Sequence, residues 1–246
     1  MKFVVSSSEL LRGLVSVSRV IANKPTLAIL DSLLFDLKDG KLIVTASDGE
    51  TTLRTSFSVD QVLEEGAAAI QAKLLIDSLK EFPDQPLTFQ TDKASSLIIT
   101  WASGASKIPF LPADDFPKLP EIAEDSTIFT IPTSILLNGI NDTIYATAEE
   151  ELRPVMNGIF FDIDTESTSL VASDAHKLVC YTVSSVKGES KNSFILHKKP
   201  ASILKNILAK AEDNTKIEFD HRNARFTSGN TMLVCRLIEG NYPAYR

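Results

Sequence analysis

Hydrophobic and polar residues follow two different periods along this chain, and each period predicts its own kind of element. In the segment 8–21, apolar residues recur at three- and four-residue spacing, which predicts an amphipathic helix. Its apolar side contains Leu10, Leu11, Leu14, Val17 and Ile21. Similar spacing predicts three further helices, and single-residue alternation predicts several strands. These helices lie at about 73–82, 133–146 and 200–210, and the strands include 2–5, 41–45 and 127–131.

The chain repeats itself at a constant offset of 126 residues. The run Ala46-Ser47-Asp48 falls on Ala172-Ser173-Asp174, and Phe116-Pro117 falls on Tyr242-Pro243. We therefore predict two tandem copies of one domain, spanning 1–120 and 127–246 and joined by a Pro-rich, acidic linker. Each copy is predicted to be α+β, with two helices packed on a mostly antiparallel sheet.

Composition places the chain among ordinary globular proteins and excludes several special classes. It has 246 residues, 43% of them hydrophobic and 23% charged, with a net charge of −7. No uninterrupted apolar segment is long enough for a signal peptide or a membrane helix. The two cysteines, Cys180 and Cys235, form no CxxC pair and no disulfide framework, which favours a reducing, cytoplasmic location.

Residues for catalysis are few. The glycines form no phosphate-binding or dinucleotide-binding motif, and the three histidines stand outside zinc-ligand spacing, so we expect neither cofactor nor metal. Asp48 and Asp174 hold equivalent places in the two copies, which favours a local turn over one shared active site. Asp162 and Asp164 fit strand alternation better than a metal pair. A hydrolase using Asp48, Asp174 or His176 remains the enzymatic alternative.

Basic residues are concentrated on the predicted helices. Arginines or lysines stand seven residues apart on one face in three of them: Arg12 with Arg19, Lys73 with Lys80, and Lys198 with Lys205. The segments 8–21, 73–82, 133–146 and 198–210 carry eight basic and four acidic residues. The net charge of −7 therefore divides into +4 on these segments and −11 elsewhere. Such a face can neutralise phosphates without reading bases, although any solvated helix face also carries lysines.

Several motifs together resemble one family. They are Lys24-Pro25-Thr26-Leu27-Ala28-Ile29-Leu30, Ala46-Ser47-Asp48, Leu111-Pro112-Ala113-Asp114-Asp115-Phe116-Pro117, Arg153-Pro154-Val155-Met156-Asn157-Gly158 and Val171-Ala172-Ser173-Asp174-Ala175-His176-Lys177-Leu178. In order and over the whole chain they resemble the bacterial sliding clamp family, the beta subunit of DNA polymerase III. The resemblance implies a ring of repeated domains whose helices line a channel around double-stranded DNA. It also implies a non-catalytic processivity factor in DNA replication, part of a nucleotidyltransferase complex.

The family implies two sets of functional residues in this chain. The side chains expected to face DNA, without sequence preference, are Lys24, Arg12, Arg19, Lys73, Lys80, Lys198, Lys199 and Lys205. A partner cleft, in which the replicative polymerase, the clamp loader and repair proteins dock a short peptide motif, is expected at Arg153, Met156, Ser173, Ala175, His176, Lys177, Leu178, Pro243 and Arg246. Ala175 stands where the family has glycine and Lys177 where it has arginine, so the peptide preference is expected to differ.

Family members have three such domains and close their ring as a homodimer. This sequence ends at Arg246, within the run that leads into the third domain, so we expect a fragment that is monomeric by itself. The subunit interface is expected at the edge strand 107–110, with Ile108 and Phe110. Two alternatives remain: a complete two-domain chain that closes as a trimer, and a protein-interaction scaffold that never touches DNA.

Overall fold

The computed structural model describes residues 1–150, 152–211 and 213–246. They divide into two compact units, Met1–Leu119 and Pro120–Arg246. Each unit contains two α-helices packed on antiparallel strands, and this confirms the predicted α+β class.

The first unit has nine strands and two α-helices. In chain order they are β1 (Lys2–Ser6), α1 (Ser7–Val17), β2 (Ser32–Lys38), β3 (Lys41–Ser47), β4 (Thr51–Ser58), β5 (Gln61–Glu64), β6 (Gly66–Gln71), α2 (Ala72–Lys80), β7 (Pro86–Thr91), β8 (Ser96–Trp101) and β9 (Gly104–Leu111). Hydrogen bonding orders the strands β4-β3-β2-β6-β9-β8-β7-β1-β5, each antiparallel to its neighbours.

Strand β9 links the two halves of this order. Its residues 104–109 pair with β8, whereas Phe110 and Leu111 pair with Ile70 and Ala69 of β6. The chain thus passes from one half of the sheet to the other within a single strand, and Ile70 lies fully buried at the crossing.

The second unit repeats the pattern. Its elements are β10 (Thr127–Pro132), α3 (Thr133–Thr143), β11 (Gly158–Ile163), β12 (Thr168–Ser173), β13 (Leu178–Val183), β14 (Asn192–His197), α4 (Lys198–Leu208), β15 (Asn214–Phe219), β16 (Asn223–Ser228) and β17 (Thr231–Arg236). Two antiparallel sheets result, ordered β10-β15-β16-β17 and β13-β12-β11-β14. After β17, the Ile238 N–H donates to the Ile195 carbonyl of β14 at 3.0 Å, the counterpart of the link between Phe110 and Ile70.

The first helix of the chain begins where its sequence provides a cap. Ser6 is the N-cap of α1, and its side chain accepts a hydrogen bond from the Glu9 N–H at 3.3 Å. The buried side of α1 contains Leu10, Leu14 and Val17. The helix ends at Val17, earlier than the predicted residue 21, because a 3-10 turn takes over at 18–20.

Two side chains assigned to the apolar side of that helix are less buried than predicted. Leu11 and Ile21 are only half-buried. Ile21 lies beyond both the helix and the 3-10 turn that follows it. The helix predicted at 133–146 is also shorter than expected: α3 ends at Thr143, and a 3-10 turn covers Ile144–Ala146.

Candidate nucleic-acid interface and partner cleft

The basic side chains predicted on the first unit are all exposed. Arg12 projects from α1, Arg19 from the 3-10 turn after it, and Lys24 from the following loop. Lys73 and Lys80 lie on α2, opposite its buried residues Leu75 and Leu79.

One of these cations is partly neutralised within its own helix. Lys80 Nζ lies 2.9 Å from Asp77 Oδ1, and this hydrogen bond holds the pKa of the Asp77 carboxyl below its ordinary value. Both side chains are more than half exposed, so the pair contributes little to stability. Lys80 remains accessible to an incoming anion.

The basic residues of the second unit lie on α4. Lys198 and Lys199 are its first two residues and are half-buried. Lys205, seven residues after Lys198, is exposed. Cations in a first turn oppose the helix dipole and each cost about 0.3–1 kcal/mol. The two lysines are therefore unfavourable for the stability of α4 itself, as often happens where a binding surface requires the charge.

Glu149 lies against the first of these lysines. Its Oε1 lies 2.5 Å from Lys198 Nζ, and this hydrogen bond lowers the pKa of the Glu149 carboxyl. The nearby Arg153 is paired in the same way with Glu150, at 3.1 Å. Two cations of the second unit, Lys198 and Arg153, thus already have acidic partners.

The first helix of the second unit lacks the charges found on the first helix of the chain. At the offset of 126, Asn138 stands for Arg12 and Tyr145 for Arg19. Glu150 stands for Lys24. The basic character of the second unit therefore comes from α4 alone among its two α-helices.

The turn that contains four predicted cleft residues is built by Ser173 and Asp174. Asp174 Oδ1 accepts hydrogen bonds from the N–H groups of His176 and Lys177, both at 3.0 Å, and Ser173 Oγ accepts from the Ala175 N–H at 3.1 Å. Lys177 Nζ also donates to Asp174, and this contact, the largest cause, holds the pKa of that carboxyl well below its usual range.

The matching turn of the first unit uses the same hydrogen bonds. Asp48 Oδ1 accepts from the N–H groups of Glu50 and Thr51 at 3.0 and 2.7 Å, and Ser47 Oγ accepts from the Gly49 N–H at 3.1 Å. The structural role predicted for this repeated aspartate is confirmed. Among the described residues, no group of three or more His, Cys, Asp or Glu side chains is arranged to hold a metal ion.

The other predicted cleft residues differ in exposure. Met156 is buried at the end of a 3-10 turn, whereas His176 is exposed and Leu178 is half exposed on β13. Pro243 and Arg246 follow β17 and are exposed.

The segment that carries Pro243 and Arg246 is seated on β11, which sequence reasoning missed. Tyr242 stacks on Phe160 with ring centroids 4.9 Å apart, and Tyr245 donates to Asp162 at 2.5 Å. The alternation of Phe160 and Asp162 placed both on one face of the strand, but nothing in the sequence named their partners.

The expected subunit edge is only partly open. Residues 104–109 of β9 pair on one side with β8, which leaves their other side without a strand among the described residues. Phe110 differs from the expectation, because its backbone already pairs with Ile70. Ile108 lies in the open stretch, but its side chain is buried.

None of the described helices is both long enough and apolar enough to cross a membrane.

Comparison with known proteins gives the same result over both units. The family model of the N-terminal domain of the DNA polymerase III beta subunit matches residues 1–120, and the model of its central domain matches 130–244. The beta sliding clamp of Haemophilus influenzae is 28% identical over 251 residues, covering 100% of this chain and 67% of the relative. The chain thus spans about two thirds of the length of the curated relatives it matches.

Solved structures of clamps superpose closely. The DNA polymerase III subunit beta of Pseudomonas aeruginosa matches with a TM-score of 0.92 at 25% identity, covering 100% of this chain and 67% of that one. A sliding clamp from Bartonella birtlesii, bound to griselimycin, matches with a TM-score of 0.91 at 27% identity and the same coverage.

Proposed function

This chain belongs to the DNA polymerase III beta subunit family, and on that premise we propose that it works as a sliding clamp. The protein encircles double-stranded DNA as a ring and tethers the replicative polymerase to its template. It carries out no chemistry of its own. Tethering converts rebinding of the polymerase into an intramolecular event at high effective concentration, which raises processivity.

The observation that carries the DNA-binding part is the placement of cations at helix N-termini. Lys73 is the second residue of α2, whose N-cap makes no side-chain hydrogen bond, and Lys198 and Lys199 open α4. Lysines at a helix N-terminus add to the positive end of the helix dipole and attract phosphate, and lysine contacts to phosphate carry no base sequence. This combination suits a protein that slides.

The proposed DNA-facing set is the one expected from the sequence. It comprises Lys24, Arg12, Arg19, Lys73, Lys80, Lys198, Lys199 and Lys205. The exposure of these side chains supports the assignment for the first unit. The ion pair between Lys198 and Glu149 is expected to weaken the contact of the second unit with DNA phosphates.

The partner-binding part rests on the turn at Ser173 and Asp174 and on the nearby Pro243 and Arg246. The exposed His176 and Leu178 offer one polar and one apolar side chain to a peptide. We propose that polymerase, clamp loader and repair proteins dock a short peptide motif here, that the complete gene product closes its ring as a homodimer, and that it works in the cytoplasm. Light scattering of the complete gene product distinguishes the dimer from the trimeric two-domain ring.

Primer extension on a singly primed circle tests the proposal. With the cognate polymerase and clamp loader, we expect the product length per binding event to increase several-fold when the complete gene product is added. Unchanged product lengths would contradict the proposal. Charge reversal of Lys24 and Lys73 distinguishes the clamp from the protein-interaction scaffold. If the protein is such a scaffold, both variants leave DNA association unchanged.

A further inference from the structure

The segment after β17 is held on the face of β11 by aromatic contacts. The Tyr242 ring lies parallel to that of Phe160, with 5° between the planes, and the Tyr245 ring meets the same Phe160 edge-on at 6.2 Å. Both tyrosines are half-buried. The backbone between them, which includes Pro243, is thereby fixed against the second unit.

A single carboxylate joins the end of this segment to the sheet. Asp162 stands two residues beyond Phe160, on the same face of β11. Its Oδ2 accepts from the Tyr245 hydroxyl at 2.5 Å and lies 3.7 Å from Arg246 Nη2. The same Nη2 donates to Ser169 Oγ at 3.2 Å, and Ser169 is the cross-strand partner of Asp162.

The exposures of the two charged groups are unequal. The Asp162 side chain is 13% exposed, whereas that of Arg246 is 62% exposed, with its guanidinium 5.3 Å from the Tyr245 ring centroid. A guanidinium carries five N–H donors. The contacts to Asp162 and Ser169 both use Nη2, so they leave the N–H donors of the other two guanidinium nitrogens unused.

We propose that Asp162 is a positioning residue of the partner cleft, which, together with Tyr245 and Ser169, holds Arg246 in one orientation for a peptide carbonyl or carboxylate oxygen. This inference rests on the proposed function, because it takes Arg246 as a peptide contact. Immobilising a long side chain before the ligand arrives removes part of the entropy cost of binding. Asp162 thus strengthens peptide binding without touching the peptide.

Griselimycin is the probe for the test, since a clamp that is 27% identical to this chain has been crystallised with it. Its dissociation constant is measured by calorimetry on the complete gene product, for the wild type, Asp162→Asn, Arg246→Ala and the double variant. We expect Asp162→Asn to weaken binding about two- to tenfold, the effect of leaving one long side chain to be ordered on binding. We expect no further loss when Asp162→Asn is added to Arg246→Ala.

Two further variants separate positioning from folding. Asp164→Asn is the matched control, because the Asp164 carboxylate accepts hydrogen bonds from the adjacent Thr165 and does not contact Arg246, so the affinity is expected to be unchanged. Ser169→Ala keeps the contact between Tyr245 and Asp162, and is expected to cause a smaller loss than Asp162→Asn. Ultraviolet titration provides a readout without ligand: Asp162→Asn should lower the pKa of Tyr245, which burial, followed by the hydrogen bond to Asp162, raises to about 12.

Two outcomes distinguish failure of the positioning role of Asp162 from failure of the proposed partner cleft. Equal losses from Asp162→Asn with and without Arg246 would show that Asp162 acts through the fold in general, and would overturn the positioning role alone. Unchanged griselimycin affinity in both Arg246→Ala and His176→Ala would overturn the proposed cleft, and the inference with it.

Discussion

Ala175 occupies, at φ +73°, the turn position that Gly49 occupies at φ +97° in the first unit. The two turns share their aspartate and serine hydrogen bonds, so they differ here mainly in the side chain that must accept a left-handed backbone. An alanine in this region is strained by about 1–2 kcal/mol. The turn at Ser173–Lys177, which we propose as part of the partner cleft, therefore retains strain that its counterpart avoids.

Reciprocal substitutions test this relationship. Because a glycine removes the strain but gains freedom in the unfolded chain, we expect Ala175→Gly to raise the free energy of unfolding by up to about 1 kcal/mol. Gly49→Ala should lower it by about 1 kcal/mol. Urea unfolding measures both, and a stabilising Gly49→Ala would contradict the comparison.

The pair formed by Glu149 and Lys198 predicts a variant that binds DNA more tightly. Glu149→Gln removes the carboxylate from Lys198, which can then contact a phosphate. We expect the slope of log K against log salt concentration to become steeper by about 1, measured by fluorescence anisotropy on duplex DNA.

Glu150→Gln is the matched control for that variant, because Glu150 pairs instead with Arg153, outside the DNA-facing set. It removes the same charge one residue away and should leave the salt slope unchanged. Equal effects of both variants would show that net charge, and not release of Lys198, is responsible.

Charge reversal on the first unit should have the opposite effect. Lys24→Glu and Lys73→Glu each remove an exposed cation from the proposed DNA-facing set, so each should lower the salt slope by about 1 and weaken binding to all sequences equally. Lys41→Glu, an exposed lysine at the start of β3, is the comparison. If Lys41→Glu weakened binding as much, the localisation of DNA binding to the helices would be wrong.

The carboxyl of Asp174 predicts a pH dependence of stability. Its pKa in the folded chain lies below the ordinary value of 3.8, so its contribution is complete above that value and is lost as pH falls through the lowered pKa. The hydrogen bond from Lys177 is the largest cause, so Lys177→Gln should lower the urea midpoint at pH 7 in the wild type and lower it much less in an Asp174→Asn background. Equal losses in both backgrounds would show that Lys177 does not act through this carboxylate.

The sequence predicts most of the fold, because the signals for it are local or repeated. The offset of 126 predicted the paired turns at Asp48 and Asp174, and the spacing of Leu10, Leu14 and Val17 predicted α1. The end of α1 was missed, since a 3-10 turn continues the same apolar spacing with a different backbone.

Long-range contacts at the site could not be predicted in this way. Glu149 meets Lys198 across 49 residues of sequence, and Asp162 meets Tyr245 across 83. Neither partner is marked by a motif, because only the folded sheets bring them together. Phe110 was likewise expected at an open edge. Its backbone pairing with Ile70 could not be predicted, because it depends on how β9 crosses to β6 in the folded unit.

Retention on DNA tests the central claim most directly. The complete gene product is loaded onto a nicked circular plasmid by its cognate clamp loader, and its release is followed by gel filtration before and after the circle is cut once. A ring held by topology should stay on the closed circle and leave quickly once DNA ends exist. Equal rates of release from circular and linear DNA would contradict the sliding-clamp account.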